Sequence, residues 1–458
     1  MPGTHEHWRI EARRLAALAW PVILVSLNWT LLQVTDVVVV GLTGTHEVAG
    51  FGGSRAVTFI TLVASIGLLS GVLVFASRAD GARDYAETGR VLRRGVLLAL
   101  VAGLIGMVLL WGLADPALRL VGVAESVRPI AADVVRIMAI AFPAQMVVIG
   151  ASNFLEGISQ PRRVMTVNLS ILPLNAFLAW ALATGAFGLP QMGARGAGLA
   201  TALSVWIGAA AMIMSARLLP DAEARDTRDF SLSAFRAAAP GAWALAKFGA
   251  VPAIASALEL GGFSILIALS TQLGDVTSHA FQIVFSIHNV TFSFALGFGS
   301  AAGVRAGNAV GEGLAEQARR RVTIAAGIAG ALLGVLAFIL LTLGVQIAGL
   351  FPSGGDVHRL TAAMLLIWAP FIIFDGLQAV YMFALRSLGD QVAAGVNAVL
   401  AFFVVTGGLG LLLAAQGWGA SALVWASGLG MLVAALLNGG RFYQIAAPAA
   451  LRARPPRN

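Results

Sequence analysis

Three carboxylates stand inside long apolar runs: Asp36 between Leu31 and Val40, Glu259 between Ala257 and Leu260, and Asp375 between Ile373 and Gln378. An ionised carboxylate at the centre of a bilayer costs at least about 2.5 kcal/mol on insertion scales, so each marks a functional position by default. None has an arginine or lysine three or four residues away to neutralise it within its own helix. The chemistry open to such groups is reversible binding of a positive charge, whether a proton, a sodium ion or the cationic part of a solute.

Other residues could support them. Asn175 and Thr201, with Asn168, offer amide and hydroxyl groups that could cluster around Asp36, and they serve equally well as glue between helices. Gln378 shares a helical face with Asp375, and Gln282 is a further supporting amide. Pro21 and Pro252 interrupt apolar helices, freeing a backbone carbonyl and bending the chain, which makes each a candidate hinge. Trp29, Trp180, Phe281 and Tyr381 could face a flat apolar cation, although such side chains more often pack or sit at the membrane interface. His279 and His288 lack metal-ligand spacing and read as structural. There is no cysteine, which excludes disulfides, thiolate zinc and thiol nucleophiles. Neither a phosphate-binding glycine loop nor a Ser/His/Asp signature is present. The expectation is a protein that is not an enzyme and needs no cofactor, with metal confined to sodium at Glu259 and Asp375.

These residues need helices long enough to hold them in lipid. Of the 458 residues 58% are apolar and only 11% charged, too few to cover a soluble surface. Twelve apolar runs long enough to span stand near 15–40, 48–77, 91–113, 130–153, 164–186, 196–218, 243–271, 277–304, 320–350, 360–387, 393–415 and 419–445. They are continuous instead of alternating, so a β-barrel is excluded and the fold class is all-α and polytopic.

Lysine and arginine set the orientation. The N-terminus and every second loop carry 24 of them, against five on the opposite side (Arg55, Arg119, Arg128, Arg195 and Arg359), with Arg136 inside a span. By the positive-inside rule both termini are cytoplasmic, and the net charge of +8 reflects topology and attraction to membrane lipids, with no nucleic-acid partner. The longest polar loop, Leu218 to Gly241, divides the chain into six helices and six, giving lobes 1–225 and 226–458. A shift of 230 residues aligns Gly44, Phe51, Gly67 and Ser70 with Gly274, Phe281, Gly297 and Ser300. Two parallel repeats suit a transporter that opens one site alternately to either side.

The chain resembles the multidrug and toxic compound extrusion (MATE) family, and within it the NorM-like branch. The resemblance rests on Leu18-Ala-Trp-Pro21 with Val34-Thr-Asp36-Val, on Asn175 followed by Gly193-Ala-Arg-Gly196-Ala-Gly-Leu-Ala-Thr201, on Glu259 ahead of Leu273-Gly274, and on Asp375-Gly-Leu-Gln378 ahead of Ala384-Leu-Arg386. It implies an antiporter in the bacterial inner membrane, expected as a monomer, that exports bulky, often cationic lipophilic compounds against sodium or protons. In that branch the carboxylates matching Asp36, Glu259 and Asp375 are tied to cation coupling and substrate binding. Other members carry an aspartate four residues after the asparagine matching Asn175, where this chain has Ala179. The alternative within the superfamily is a lipid-linked precursor flippase, for which a cavity rich in arginine is expected; an uncoupled channel would need a ring of like groups at a constriction.

Overall fold

A computed structural model describes residues 4–447 of the chain. Twelve of the described helices are long and apolar enough to cross a membrane. They are α1 (Thr4–Gly41), α2 (Thr45–Gly81), α3 (Tyr85–Leu120), α4 (Arg128–Gly157), α5 (Pro161–Thr184) and α6 (Gly193–Arg217). After the polar loop come α7 (Leu232–Gln272), α8 (Asp275–Gly311), α9 (Ala315–Ala348), α10 (Gly355–Ser387), α11 (Gln391–Ala415) and α12 (Ala420–Ile445). The described chain has no strand, as the continuous apolar runs require.

Local chemistry sets the ends of these helices. Asp84 caps α3 by accepting the Glu87 backbone N–H at 3.0 Å. Pro161 opens α5, and Gly185 closes it in the left-handed conformation at φ 77°. The turns before α2 and α8 rest on Gly44 (φ 132°) and Gly274 (φ 103°), a backbone region that L side chains avoid. These two glycines are a repeat-related pair, so the duplication is visible in the backbone itself. Pro370 lies in a short 3-10 turn at Ala369–Phe371 that interrupts α10, placing Asp375 in the first turn of the helical segment that follows. Part of α11, Val399–Leu409, is wound as a π-helix.

By internal contact the chain forms two compact units. One is Leu24–Ala253; the other takes the described residues on either side of it, up to Ile23 and from Ile254. The divisions therefore fall inside α1 and α7, next to Pro21 and Pro252, and not in the loop at Leu218–Gly241. The reason is close packing at another repeat-related glycine pair. In the first unit a Cβ on Gly67 of α2 would stand 2.6 Å from the Cα of Ala253, beside Pro252. In the second, a Cβ on Gly297 of α8 would stand 2.8 Å from the Ala19 carbonyl oxygen, two residues before Pro21. Missing side chains at these positions let helix backbones approach, the small-residue packing that membranes favour.

Each unit has its own apolar interior: Leu69, Leu92, Phe154 and Met212 in the first, Leu365, Trp368, Phe402 and Leu423 in the second. Outward-facing positions are apolar as well, for example Leu104, Val108 and Phe338, as a surface solvated by lipid requires. The polar loop after α6 is tied down within the first unit. Arg93 donates to the Asp226 carboxylate at 2.7 Å, and Arg225 bonds Asp80 at 2.8 Å while its guanidinium lies 4.7 Å from the centre of the Tyr85 ring. In the other unit Arg305 grips Glu11 with two bonds of 2.6 and 2.8 Å.

Three arginines sit differently from where charge counting puts them. Arg55 is not a loop residue; it lies half-buried within α2. Arg386 also leaves the loop count, being buried in the last turn of the α10 span. Arg136 is not deep in its span: it stands about two turns from the start of α4 and pairs with Asp133 at 3.2 Å. A window count of hydropathy cannot tell an arginine at a helix end from one that enters a cavity. Arg452, Arg454 and Arg457, which contribute to the cytoplasmic count, lie outside the described residues.

Candidate functional site

Within the unit Leu24–Ala253, helices α1, α2, α4, α5 and α6, with Leu110 of α3, line a cavity of about 160 Å³. Asp36 lies in its wall, 4% exposed. Asn175 Nδ2 of α5 donates to Asp36 Oδ1 at 2.7 Å, and the Thr201 hydroxyl of α6 donates to Asp36 Oδ2 at 3.2 Å. The supporting pair expected from sequence is therefore in place, each member coming from a different helix. Among the described residues no arginine, lysine or histidine is within 4.0 Å of the Asp36 carboxylate. Its hydrogen bonds come from neutral donors, and the one cationic group within electrostatic range, Arg55 of α2, stands beyond 4.0 Å, so the carboxylate oxygens stay open to an incoming cation.

Further polar groups line the same cavity. Asn28 Oδ1, Asn175 Oδ1 and the Ser204 hydroxyl are buried without a hydrogen-bond partner. Unpartnered oxygens of this kind are what a bound cation or a hydrogen-bond donor would satisfy. Asn168 lines the cavity but does not join Asp36: its Nδ2 donates to the Val164 carbonyl, and its own carbonyl accepts from Asn28 Nδ2 at 3.1 Å. Ala179 is fully buried against Val39, Ala183 and Ala200, an apolar patch beside the Asp36 cluster.

Of the four aromatic residues singled out in the sequence, only Trp29 lines this cavity. Trp180 is exposed in a cluster with Phe177 and Phe187, Phe281 is core in the other unit, and Tyr381 packs on Phe442 and Tyr443. Phe59 and Phe142 supply aromatic wall that sequence reasoning missed. Nothing in their local pattern separates them from core residues.

The second unit gathers the other two carboxylates. Asp375 is 3% exposed, and its Oδ2 lies 3.1 Å from His288 Nε2 of α8. Gln378 Nε2 donates to Oδ1 at 3.4 Å. His288 stands among rings, 5.4 Å from Trp368 and 5.7 Å from Phe263 between centroids. The histidine was legible in sequence only as a structural residue. The missing signal was that a buried carboxylate without a basic partner on its own helix must find one on another. Glu259 of α7 is half-buried and within electrostatic range of Asp375 and Arg386. Gln282 is exposed and its amide reaches Ser278 on its own helix, so it does not join this group. Pro21 and Pro252 are both buried inside their helices.

The family model described as MatE matches residues 21–181 and again residues 252–413. The chain belongs to the MatE family. Each match opens on one of the two helix prolines, so the duplication holds at the level of the family as well. A probable multidrug resistance protein NorM from Rhodopseudomonas palustris is 29% identical over 411 residues, covering 88% of this chain and 85% of that protein. The multidrug resistance protein NorM of Burkholderia vietnamiensis is 29% identical, over 96% of this chain and 95% of its own. Among solved structures, the eukaryotic MATE transporter AtDTX14 superposes with a TM-score of 0.85 at 22% identity, covering 98% of this chain and all of that one. An outward-facing MATE family multidrug transporter gives 0.84 at 18%, over 97% of both chains. At these identities the structural likeness establishes the MATE fold. As a MatE protein the chain is a multi-pass membrane transporter and not an enzyme.

Proposed function

We propose that this protein is a multidrug efflux antiporter of the bacterial inner membrane, exporting bulky lipophilic compounds, cationic ones among them, in exchange for inward sodium or protons. The observation that carries the reading is Asp36: a carboxylate 4% exposed in the wall of an aromatic-lined cavity, bonded only to neutral groups. A coupling cation and a cationic solute both need that negative charge, so each weakens binding of the other. Differential affinity of this kind is the only means by which a ligand shifts a conformational equilibrium. Glu259 and Asp375 form the second cation-responsive group, with Asp375 oriented by His288 and Gln378. The transport step is rocking of two lobes, with α1 and α7 flexing at Pro21 and Pro252. The arginine distribution supports cytoplasmic termini, and the unit of function in this reading is a monomer. The membrane potential supplies about 2.3 kcal/mol per charge per 100 mV.

The flippase alternative loses ground at the cavity, where Arg55 is the sole arginine in the lining, too little for a diphosphate. The test is movement of ethidium in liposomes carrying the purified protein, with sodium and proton gradients imposed one at a time. One gradient is expected to drive the dye against its concentration, which names the coupling ion. Dye that binds but follows neither gradient would contradict coupling.

A further inference from the structure

Five arginines are buried among the described residues: Arg93, Arg225, Arg305, Arg321 and Arg386. The first four each end on a carboxylate. Arg386 ends on none. Among the described residues no carboxylate stands within 4.0 Å of it, its Nε has no hydrogen-bond partner, and its guanidinium lies 5.7 Å from the centre of the Phe383 ring on its own helix. An arginine in the last turn suits the negative end of a helix, but an exposed one would serve that purpose without the cost of burial. The charge is kept inside for another reason.

Its place in the fold supplies the reason. Asp375 and Arg386 stand eleven residues apart on the continuous segment Ile372–Ser387, which is about 16 Å along the axis and three turns to within about 20°, so both project from one face. Glu259 of α7 is within electrostatic range of both. The segment ends at Ser387, on the cytoplasmic side in the orientation argued from the arginine distribution. A cation bound at Glu259 or Asp375 therefore has a buried positive charge between it and the cytoplasm along this face. The 230-residue shift puts Glu156, in the last turn of α4, at the matching place in the first unit, so the positive charge belongs only to the unit that holds the two carboxylates. We propose that Arg386 is an electrostatic barrier on the cytoplasmic side of the Glu259–Asp375 group. It keeps the coupling cation from slipping inward through the second unit when no solute is exchanged, which leaves the rocking step as the route of entry. Positive charge set beside a pore excludes cations by the same physics. A unit charge roughly 10 Å from the path, at an effective dielectric of about 20, slows a passing cation about tenfold or more. The exchange itself rests on the efflux reading above; the barrier does not.

Ion leak without solute reads the barrier directly. The purified full chain is sealed in liposomes with valinomycin and potassium clamping the potential, and entry of radioactive sodium, or of protons followed by trapped pyranine, is measured with no dye present. The wild type is expected to leak no faster than protein-free liposomes. Arg386→Gln and Arg386→Met, the latter keeping an unbranched apolar stem of the kind buried sites often tolerate in place of a charge, are expected to leak one of the two ions at least about tenfold faster. Arg386→Lys is expected to stay near the wild type. Adding Asp375→Asn to a leaking variant is expected to abolish the leak, because the ion must first bind there. Neutral variants that keep their melting temperature and stay tight would overturn the proposal, and so would a wild type that leaks as fast as they do. A leak that survives Asp375→Asn would mark a damaged protein and count against it equally. Failure of both neutral variants to fold, with Arg386→Lys folded, would assign the arginine to structure and remove the barrier. Ethidium under the same gradients keeps the two readings apart. Leaking neutral variants with no driven dye in the wild type uphold the barrier and remove the efflux reading, whereas driven dye in the wild type with tight neutral variants removes the barrier alone.

Discussion

His288 Nε2 lies 3.1 Å from Asp375 Oδ2, so the carboxylate of α10 is held by an imidazole from α8 as well as by an amide on its own helix. The ring in turn is walled by Trp368 and Phe263, which leaves no room for it to swing away without opening the core. Replacing His288 by alanine strands a buried carboxylate oxygen, and the expected loss of stability is about 1–3 kcal/mol. His288→Gln, whose amide can still donate, is expected to lose less. Thermal unfolding of the detergent-purified protein checks both; equal melting temperatures for the wild type and the alanine variant would show that the contact contributes nothing.

A second prediction follows from Ala179, fully buried beside the Asp36 cluster among Val39, Ala183 and Ala200. A carboxylate placed there has no donor prepared for it, so Ala179→Asp is expected to destabilise the protein in sodium-free buffer. A cation shared between the introduced carboxylate and Asp36 would relieve that penalty, and the variant is therefore expected to gain melting temperature on adding sodium chloride but not on adding choline chloride. The wild type is expected to gain less. A variant whose melting temperature ignores sodium would show that a carboxylate at position 179 does not share a cation with Asp36.

Orientation is open to direct labelling, because the chain has no cysteine and a single introduced thiol gives no background. Ala224 in the loop after α6 and Gly354 before α10 are both exposed. The arginine distribution predicts that Gly354→Cys reacts with a membrane-impermeant maleimide in right-side-out vesicles, whereas Ala224→Cys reacts only after permeabilisation. The reverse pattern would invert the topology.

The fold was more legible in the sequence than the site. Apolar runs, proline and glycine positions and the 230-residue shift gave all twelve spans, because in lipid the backbone must satisfy itself within each helix and length alone identifies a crossing. Asp36 with Asn175 and Thr201 was legible for a related reason: few polar side chains can lie in a span, so those that do tend to meet. What escaped was pairing across helices in three dimensions. His288 reads as structural, Arg55 counts with the outer-side charges although it stands in the run 48–77, and Gln282 reads as a supporting ligand, since residue type and hydropathy do not encode which face of a helix meets a neighbour. The packing of Gly67 against Ala253 was hidden likewise, although Gly67 and Gly297 stood in the repeat alignment.

In the proposed antiport the Asp36 charge makes drug and coupling cation exclude one another. Asp36→Asn keeps the volume and an oxygen for Asn175 or Thr201 to bond while removing the charge. The most direct measurement compares gradient-driven ethidium movement in liposomes for the wild type and this variant, in the gradient that drives the wild type. The variant is expected to lose uphill transport by at least about tenfold, the effect of roughly 1.4 kcal/mol in coupling, while the reconstituted protein remains folded by its melting temperature. Uphill transport at the wild-type rate in Asp36→Asn would contradict it.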